Sequence, residues 1–328
     1  MAKIADKYDI MLKKEVVYLA LILTLNPSLD KWYWIKDFHK GKSHKVNDFK
    51  YAVGGGGINV AKVINEFNEQ VMVTGFAGGD TGRYIERELD KMGIYHRFVP
   101  IKEESKSTIR IISKYDVSTE IMEEGPYIHS QYVSKLYELF HELISKWDLI
   151  CACGDIPKGL PIDILFNLII LAKKYNKKFF LSSKGEYLKS AIKAIPYFVC
   201  LTKEELEDYL GCSVESNLEI IQAGKYLSQD GIKIVMIFLG EEGVYVFFQG
   251  YIYMIRVPKI KIVNYESARD SMLGGYMASI MRDYDFEFTL RVSVACGLAN
   301  AMELEPGKVD MATMKRIMNE LVIIKSQF

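Results

Sequence analysis

Residues 58–94, INVAKVINEFNEQVMVTGFAGGDTGRYIERELDKMGI, carry one full unit of the pattern that decides the fold. INVAKVINEF places its apolar residues at helical spacing, and QVMVTGFAG is a short apolar run ending in glycine. TGRYIERELDKMGI is amphipathic and stops at Gly93. A helix lying on a core shows one apolar stripe, whereas a strand buried on both faces reads as a continuous apolar run. The stretch therefore predicts helix, strand, helix. The same alternation recurs outward from it, with strand-like runs VYLALILTL (17–25), DLICACG (148–154), KKFFLSS (177–183), YFVCLT (197–202) and KIVMIFLG (233–240), separated by helical segments. That order predicts an α/β fold with a mostly parallel sheet and helices on both faces.

Two regions break the rhythm. Residues 30–53, DKWYWIKDFHKGKSHKVNDFKYAV, and residues 97–122, RFVPIKEESKSTIRIISKYDVSTEIM, alternate polar with apolar or aromatic side chains. Such alternation marks strands half exposed to water, here expected as antiparallel strands of a small sheet projecting from the main body as a lid. With no low-complexity tract, long linker or internal repeat, one domain spanning 1–328 is expected.

The 42 basic residues balance 42 acidic ones, so no net attraction to nucleic acid or anionic membrane is expected. The apolar run EVVYLALILTL is about half the roughly 20 residues needed to span a bilayer, and no small-residue cleavage site follows it. A buried strand in a cytoplasmic protein is the expectation. The five cysteines, Cys151, Cys153, Cys200, Cys212 and Cys296, lack the C-x-x-C spacing of a zinc or redox site and are expected reduced, with Cys151 and Cys153 diverging. The five histidines show no metal-binding spacing either.

In an open α/β sheet, ligands bind beyond the carboxyl ends of the strands. Several motifs fall there. VGGGGINVA (53–61) sets four glycines before a helix, so its backbone N–H groups can face an anion, although a structural turn is equally compatible. LNPSLD (25–30) puts Asp30 just outside a buried strand, where it can accept sugar hydroxyls or close an Asx turn. CGDIPKGLP (153–161) and LGEEGVYVF (239–247) end two further strands. NYESARDSMLGGY (264–276) sets Asp270 directly behind Arg269 at the mouth of a helix. The acid there is either a base or a cap with a salt-bridge partner. No G-x-G-x-x-G joins a first strand to a helix, which argues against a nicotinamide dehydrogenase.

Taken in order, LTLNPSLD, GGGGINVA, TGFAGGDTG, STEIMEEGP, CGDIPKGLP, TKEELEDYLG, FLGEEGVYVF and NYESARDSMLGGY resemble the PfkB (ribokinase-like) carbohydrate kinases over roughly residues 17 to 325. Within that family the chain is most similar to the fructose-1-phosphate and tagatose-6-phosphate kinase branch. The resemblance implies a Rossmann-like sheet, a β lid over the sugar, often a dimer, and transfer of the γ-phosphate of ATP to a sugar-phosphate hydroxyl with Mg2+ present. It implies Asp270 as base, with Ser267, Ala268 and Arg269 forming the anion hole before it. It further implies Asp30, Gly55, Gly56, Asn59 and Lys106 around the sugar phosphate. Glu205 would organise magnesium, with Thr202, Gly240, Gly243 and Asn300 around the nucleotide.

The chain departs from the family pattern at the phosphate-handling positions. Gly-Ala-Gly-Asp is Ser267-Ala268-Arg269-Asp270, and the lysine of Gly-Gly-Lys-Gly is Gly56. Thr-Arg is Ser105-Lys106, and the Pro-Asn ahead of the glutamate is Leu201-Thr202. Ser-Gly-Ser is Cys153-Gly154-Asp155, and Asp-Thr-Ser-Gly is Ser182-Ser183-Lys184-Gly185. A left-handed backbone at 267 or 269 would strain the new side chain by about 1–2 kcal/mol. Two readings stand. Either Arg269 supplies charge to the transferring phosphoryl group, or it pairs with Asp270 and fills the hole, leaving a protein that binds sugar phosphate or nucleotide without efficient turnover. Trp32, Tyr33 and Trp34 on the lid would offer apolar surface to a second subunit in a homodimer.

Overall fold

The computed structural model describes residues 18–114, 118–265 and 267–328. In its first part, β1 (Ala20–Thr24), β2 (Ser28–Trp34) and β3 (Phe49–Gly54) lead into helix α1 (Gly56–Glu66). Then come β4 (Val71–Gly78), α2 (Gly79–Met92), β5 (Tyr95–Ile101), β6 (Lys106–Ile112) and β7 (Ser118–Met122). The middle alternates regularly: α3 (Ser130–Ile144), β8 (Leu149–Cys153), α4 (Ile164–Lys174), β9 (Lys178–Ser182), α5 (Gly185–Ile192), β10 (Phe198–Thr202), α6 (Lys203–Leu210) and α7 (Asn217–Gln229). The last part holds β11 (Ile234–Phe238), β12 (Val244–Phe248), β13 (Tyr251–Arg256), α8 (Ala268–Met281), α9 (Phe286–Ala301), α10 (Met311–Glu320) and β14 (Val322–Gln327).

The large sheet runs β14-β13-β12-β11-β10-β9-β8-β1-β4-β5. It is parallel from β11 to β5 and antiparallel at its β12–β14 end. Alternate residues of its central strands feed two separate cores. Ile22, Cys151, Phe180 and Cys200 pack on one face, and Leu21, Leu23, Ile150 and Leu181 on the other. That double burial is why these strands read as unbroken apolar runs. The expectation that Cys151 and Cys153 diverge is wrong. Side chains two apart on a strand share a face, and both thiols enter the same core.

The second sheet has the order β3-β2-β6-β7. Two sequence expectations need correction here. Residues 97–101 belong to β5, on the edge of the large sheet, because an edge strand half open to solvent alternates as a lid strand does. The pairing of β2 with β6 is parallel rather than antiparallel, Ser28 standing opposite Lys106, because β3, the large-sheet strands β4 and β5 and two helices intervene between them. Trp32 is almost wholly buried against its own fold, whereas Phe49, Tyr51, Ile121 and Met122 are the exposed apolar residues of this sheet.

Helix α8 is buried nearly all round, which explains the small residues of SMLGGY. A Cβ on Gly274 would stand 2.7 Å from Val63 Cβ of α1, and one on Gly275 would stand 2.7 Å from Cys296 Sγ of α9. The two glycines thus let α8 lie close between α1 and α9, which brings the first turns of α1 and α8 together. A charged fork ties the two sheets across this region. Glu305, in the loop after α9, accepts from buried Lys62 of α1 at 3.3 Å and from Lys50 of β3 at 2.6 Å. Among the described residues, no helix is long and apolar enough to cross a membrane.

Candidate active site

The parallel strands β1, β8, β9, β10 and β11 end on one side of the large sheet, and a cavity of about 560 Å³ lies between those ends and the small sheet. Asp270 reaches it from the first turn of α8. Its carboxylate caps nothing. Oδ2 accepts from Asn59 Nδ2 at 3.0 Å and Oδ1 from the Cys153 thiol at 3.2 Å. Asn59 is there because Gly55, at φ 98°, turns the chain out of β3 and into α1. Burial raises the Asp270 carboxyl above its ordinary 3.8, against the opposing pull of the Arg269 charge and the two hydrogen bonds. Asp270 is therefore a buried, oriented carboxylate with spare lone pairs on both oxygens.

Arg269 does not lock it. The guanidinium forms its ion pair with Glu205, through Nη1 and Oε1, while its Nε lies 3.9 Å from Asp270 Oδ1 and makes no hydrogen bond. The backbone strain anticipated at 267 and 269 is absent. Ser267 sits at φ −92°, and neither residue is among those with positive φ. Ser267 is instead wired into the interior, its hydroxyl donating to Asn300 Oδ1 at 2.6 Å and accepting from Asn264 Nδ2 at 3.0 Å.

The acceptor side is built from the small sheet. Asp30, on β2, accepts from Ser28 Oγ at 2.9 Å, and burial raises its carboxyl despite nearby Arg110, Lys62 and Lys106. A side chain at 54 would collide with it, a Cβ there falling 2.4 Å from Asp30 Oδ2. Lys106, Thr108 and Arg110 share one face of β6 and all line the cavity. Arg110 is paired with Glu120 across the β6–β7 ladder at 2.7 Å. At the floor, Asp155 accepts from Lys106 and from Lys184, each at 2.9 Å. Burial would raise Asp155, but the two ammonium groups outweigh it and hold the carboxyl at about 2.

The structure brings together most of the residues singled out from the sequence. Asp30, Gly55, Gly56, Asn59, Lys106, Thr202, Ser267, Arg269 and Asp270 all line the cavity. Ala268, Glu205, Gly240, Gly243 and Asn300 do not. Asn300 is wholly buried and spends its amide on Ser267 and on the carbonyls of Glu305 and Lys308. It is a strut behind the helix mouth rather than a wall of the cavity. Gly240 lies under the hydroxyl of Tyr265, whose ring stacks on Phe238 at 5.7 Å. Sequence reasoning missed Arg110, Glu120 and Tyr265. The i, i+2 spacing of Arg110 from Thr108 and Lys106 was the available signal for the first.

Glu205, the residue expected to organise magnesium, accepts one hydrogen bond on each carboxylate oxygen and keeps a lone pair on each. Its Oε1 accepts from Arg269 and its Oε2 from the Thr202 N–H at 3.0 Å, in a capping box at the start of α6. Among the described residues, no group of three or more His, Cys, Asp or Glu side chains could hold an ion.

An α/β body whose strand ends face a smaller sheet, with a buried carboxylate at a helix mouth between them, is the build of a small-molecule kinase. Residues 24–307 match the model of the pfkB family carbohydrate kinases, and the chain belongs to that family. It is 30% identical over 316 residues to a tagatose-6-phosphate kinase of Staphylococcus epidermidis, covering 94% of this chain and all of the relative. Two structures of phosphofructokinase-2 from Escherichia coli share its fold at 22% identity, covering 93% of this chain and 99% of theirs. The complex with fructose-6-phosphate gives a TM-score of 0.84 and the tetrameric inhibited form 0.85.

Proposed function

We propose that this chain is an ATP-dependent sugar-phosphate kinase that phosphorylates a hydroxyl of a ketohexose phosphate of the tagatose 6-phosphate or fructose 1-phosphate type. The observation that carries the reading is Asp270, oriented by Asn59 and Cys153 in the cavity that Asp30 and Lys106 share. Asp30 holds sugar hydroxyls. Asp270 takes the proton of the acceptor hydroxyl as its oxygen bonds the γ-phosphorus, the bond from that phosphorus to the β–γ bridging oxygen breaks, and ADP leaves. Arg269 lies beside the base with an unspent Nε–H and offers charge to the transferring group. Mg–ATP enters as co-substrate along the wall of Thr202, Phe238 and Tyr265. Free, mostly buried cysteines suit a reducing, cytoplasmic compartment. The exposed Phe49, Tyr51, Ile121 and Met122 suit a homodimer formed through the small sheet.

The test is ADP release with tagatose 6-phosphate or fructose 1-phosphate. Asp270→Asn is expected to lower kcat by about 10²–10⁴-fold while ligand affinity holds. One observation favours the second reading, a binder without efficient turnover: the Arg269 side chain lines the cavity where the family has glycine. That reading predicts a ligand-dependent rise in Tm with no ADP formed.

A further inference from the structure

The family cation that would stand at position 56 has no room in this fold. A Cβ on Gly56 would lie 2.7 Å from Gly154 Cα and 2.8 Å from Gly154 N, against backbone that cannot step aside. A different cation reaches the same cavity. β8 and β9 pair in parallel with Cys153 opposite Ser182, so Asp155 and Lys184 emerge side by side, each two residues beyond that pair. Lys184 Nζ lies 2.9 Å from one oxygen of Asp155, and Lys106 Nζ, from the small sheet, lies 2.9 Å from the other. Each ammonium carries three N–H donors and spends one on Asp155, leaving two for a ligand. Asp155 neutralises one of the two charges and holds both ammonium groups at the floor of the cavity.

We propose that Lys184 is a specificity-determining residue that, together with Lys106, grips the anionic substituent of the acceptor, replacing a cation that position 56 cannot hold. This rests on the sugar-phosphate kinase reading and deepens it. It selects acceptors that carry a phosphate over the same sugars without one. Asp155 acts as a positioning residue for the pair.

Calorimetric titration of the whole chain with tagatose 6-phosphate, fructose 1-phosphate, tagatose and ATP tests it, on wild type, Lys184→Met and Lys184→Arg. The Lys184 side chain is 71% exposed, so neither substitution disturbs the core. Loss of one charge-assisted contact should weaken the sugar phosphate by about tenfold or more in Lys184→Met. Lys184→Arg should retain most of the affinity, and ATP and unphosphorylated tagatose should bind all three proteins alike. Equal sugar-phosphate affinity in Lys184→Met and wild type overturns the role of Lys184 and leaves the kinase reading standing. So does a parallel loss of ATP affinity, which marks a structural role. Wild type that binds neither sugar phosphate overturns the acceptor assignment itself and this inference with it.

Discussion

Replacing Arg269 by methionine, similar in length but uncharged, separates the two roles its guanidinium can play. The Arg269 side chain is 17% exposed and that of Glu205 11%, so theirs is a nearly buried pair, and breaking such a pair from one side costs about 3–5 kcal/mol. Glu205 keeps its bond from the Thr202 N–H, which favours the lower end. At about 1.5 °C per kcal/mol for a chain of 328 residues, Tm should fall by about 4–6 °C. The Asp270 carboxyl responds too. Burial already raises it above 3.8, and Arg269 is the largest influence acting the other way. Without that charge, the acid limb of kcat/KM should move to higher pH, since the base must be ionised to accept a proton. Arginine contacts to a transferring phosphoryl group are worth about 10³–10⁵ in rate elsewhere, and a partly engaged one should cost about a hundredfold or more. The assay is ADP release between pH 5 and 9, alongside calorimetric melting. A variant as fast as wild type, with its acid limb unmoved, would refute the assignment and show that the side chain only fills space. Stability has its own sign. With a native pKa above the unfolded one, Asp270 favours the fold most below about pH 4, and that contribution is lost as pH rises through its native pKa.

Cys153→Ser puts a stronger donor on Asp270 Oδ1, so the acid limb should shift to lower pH with the fold intact; an unmoved profile would show that the thiol does not tune the base. Gly56→Lys restores the family residue but drives its Cβ into Gly154, so lower Tm and weaker sugar-phosphate binding are expected, and a gain in affinity would contradict the close approach of those two turns. Ser267→Gly removes a hydroxyl that bonds both Asn264 and Asn300, and should destabilise by about 1–3 kcal/mol in a melt rather than reopen a hole for phosphate.

The large sheet was legible because its central strands are buried on both faces, and the sequences of β8, β9, β10 and β11 have no other use for such runs. β5 was not, since an edge strand with Tyr95 and Arg97 in solvent carries the same alternation as a projecting sheet. In the site, Asp30, Asn59 and Asp270 could be found because each sits in a local motif. The partners that decide their behaviour could not. Arg269 and Glu205 are 64 residues apart, and Lys106 and Asp155 are 49 apart. Only the lateral order of parallel strands and the return of the small sheet make them neighbours. Asn300 carries no local signal of its own: the resemblance set it beside the nucleotide, and its bonds to Ser267, Glu305 and Lys308 come from the way the end of α9 folds back on the mouth of α8.

Glu305 has a consequence for how the cavity breathes. One prong of its fork, to Lys62, is buried, and the other, to Lys50 at 43% exposure, is within reach of dissolved ions. Electrolyte screens the outer prong and spares the inner one. Raising salt should therefore quicken amide exchange along β3 while the melting point holds, so the ionic composition of the surroundings sets how freely the cover parts from the body.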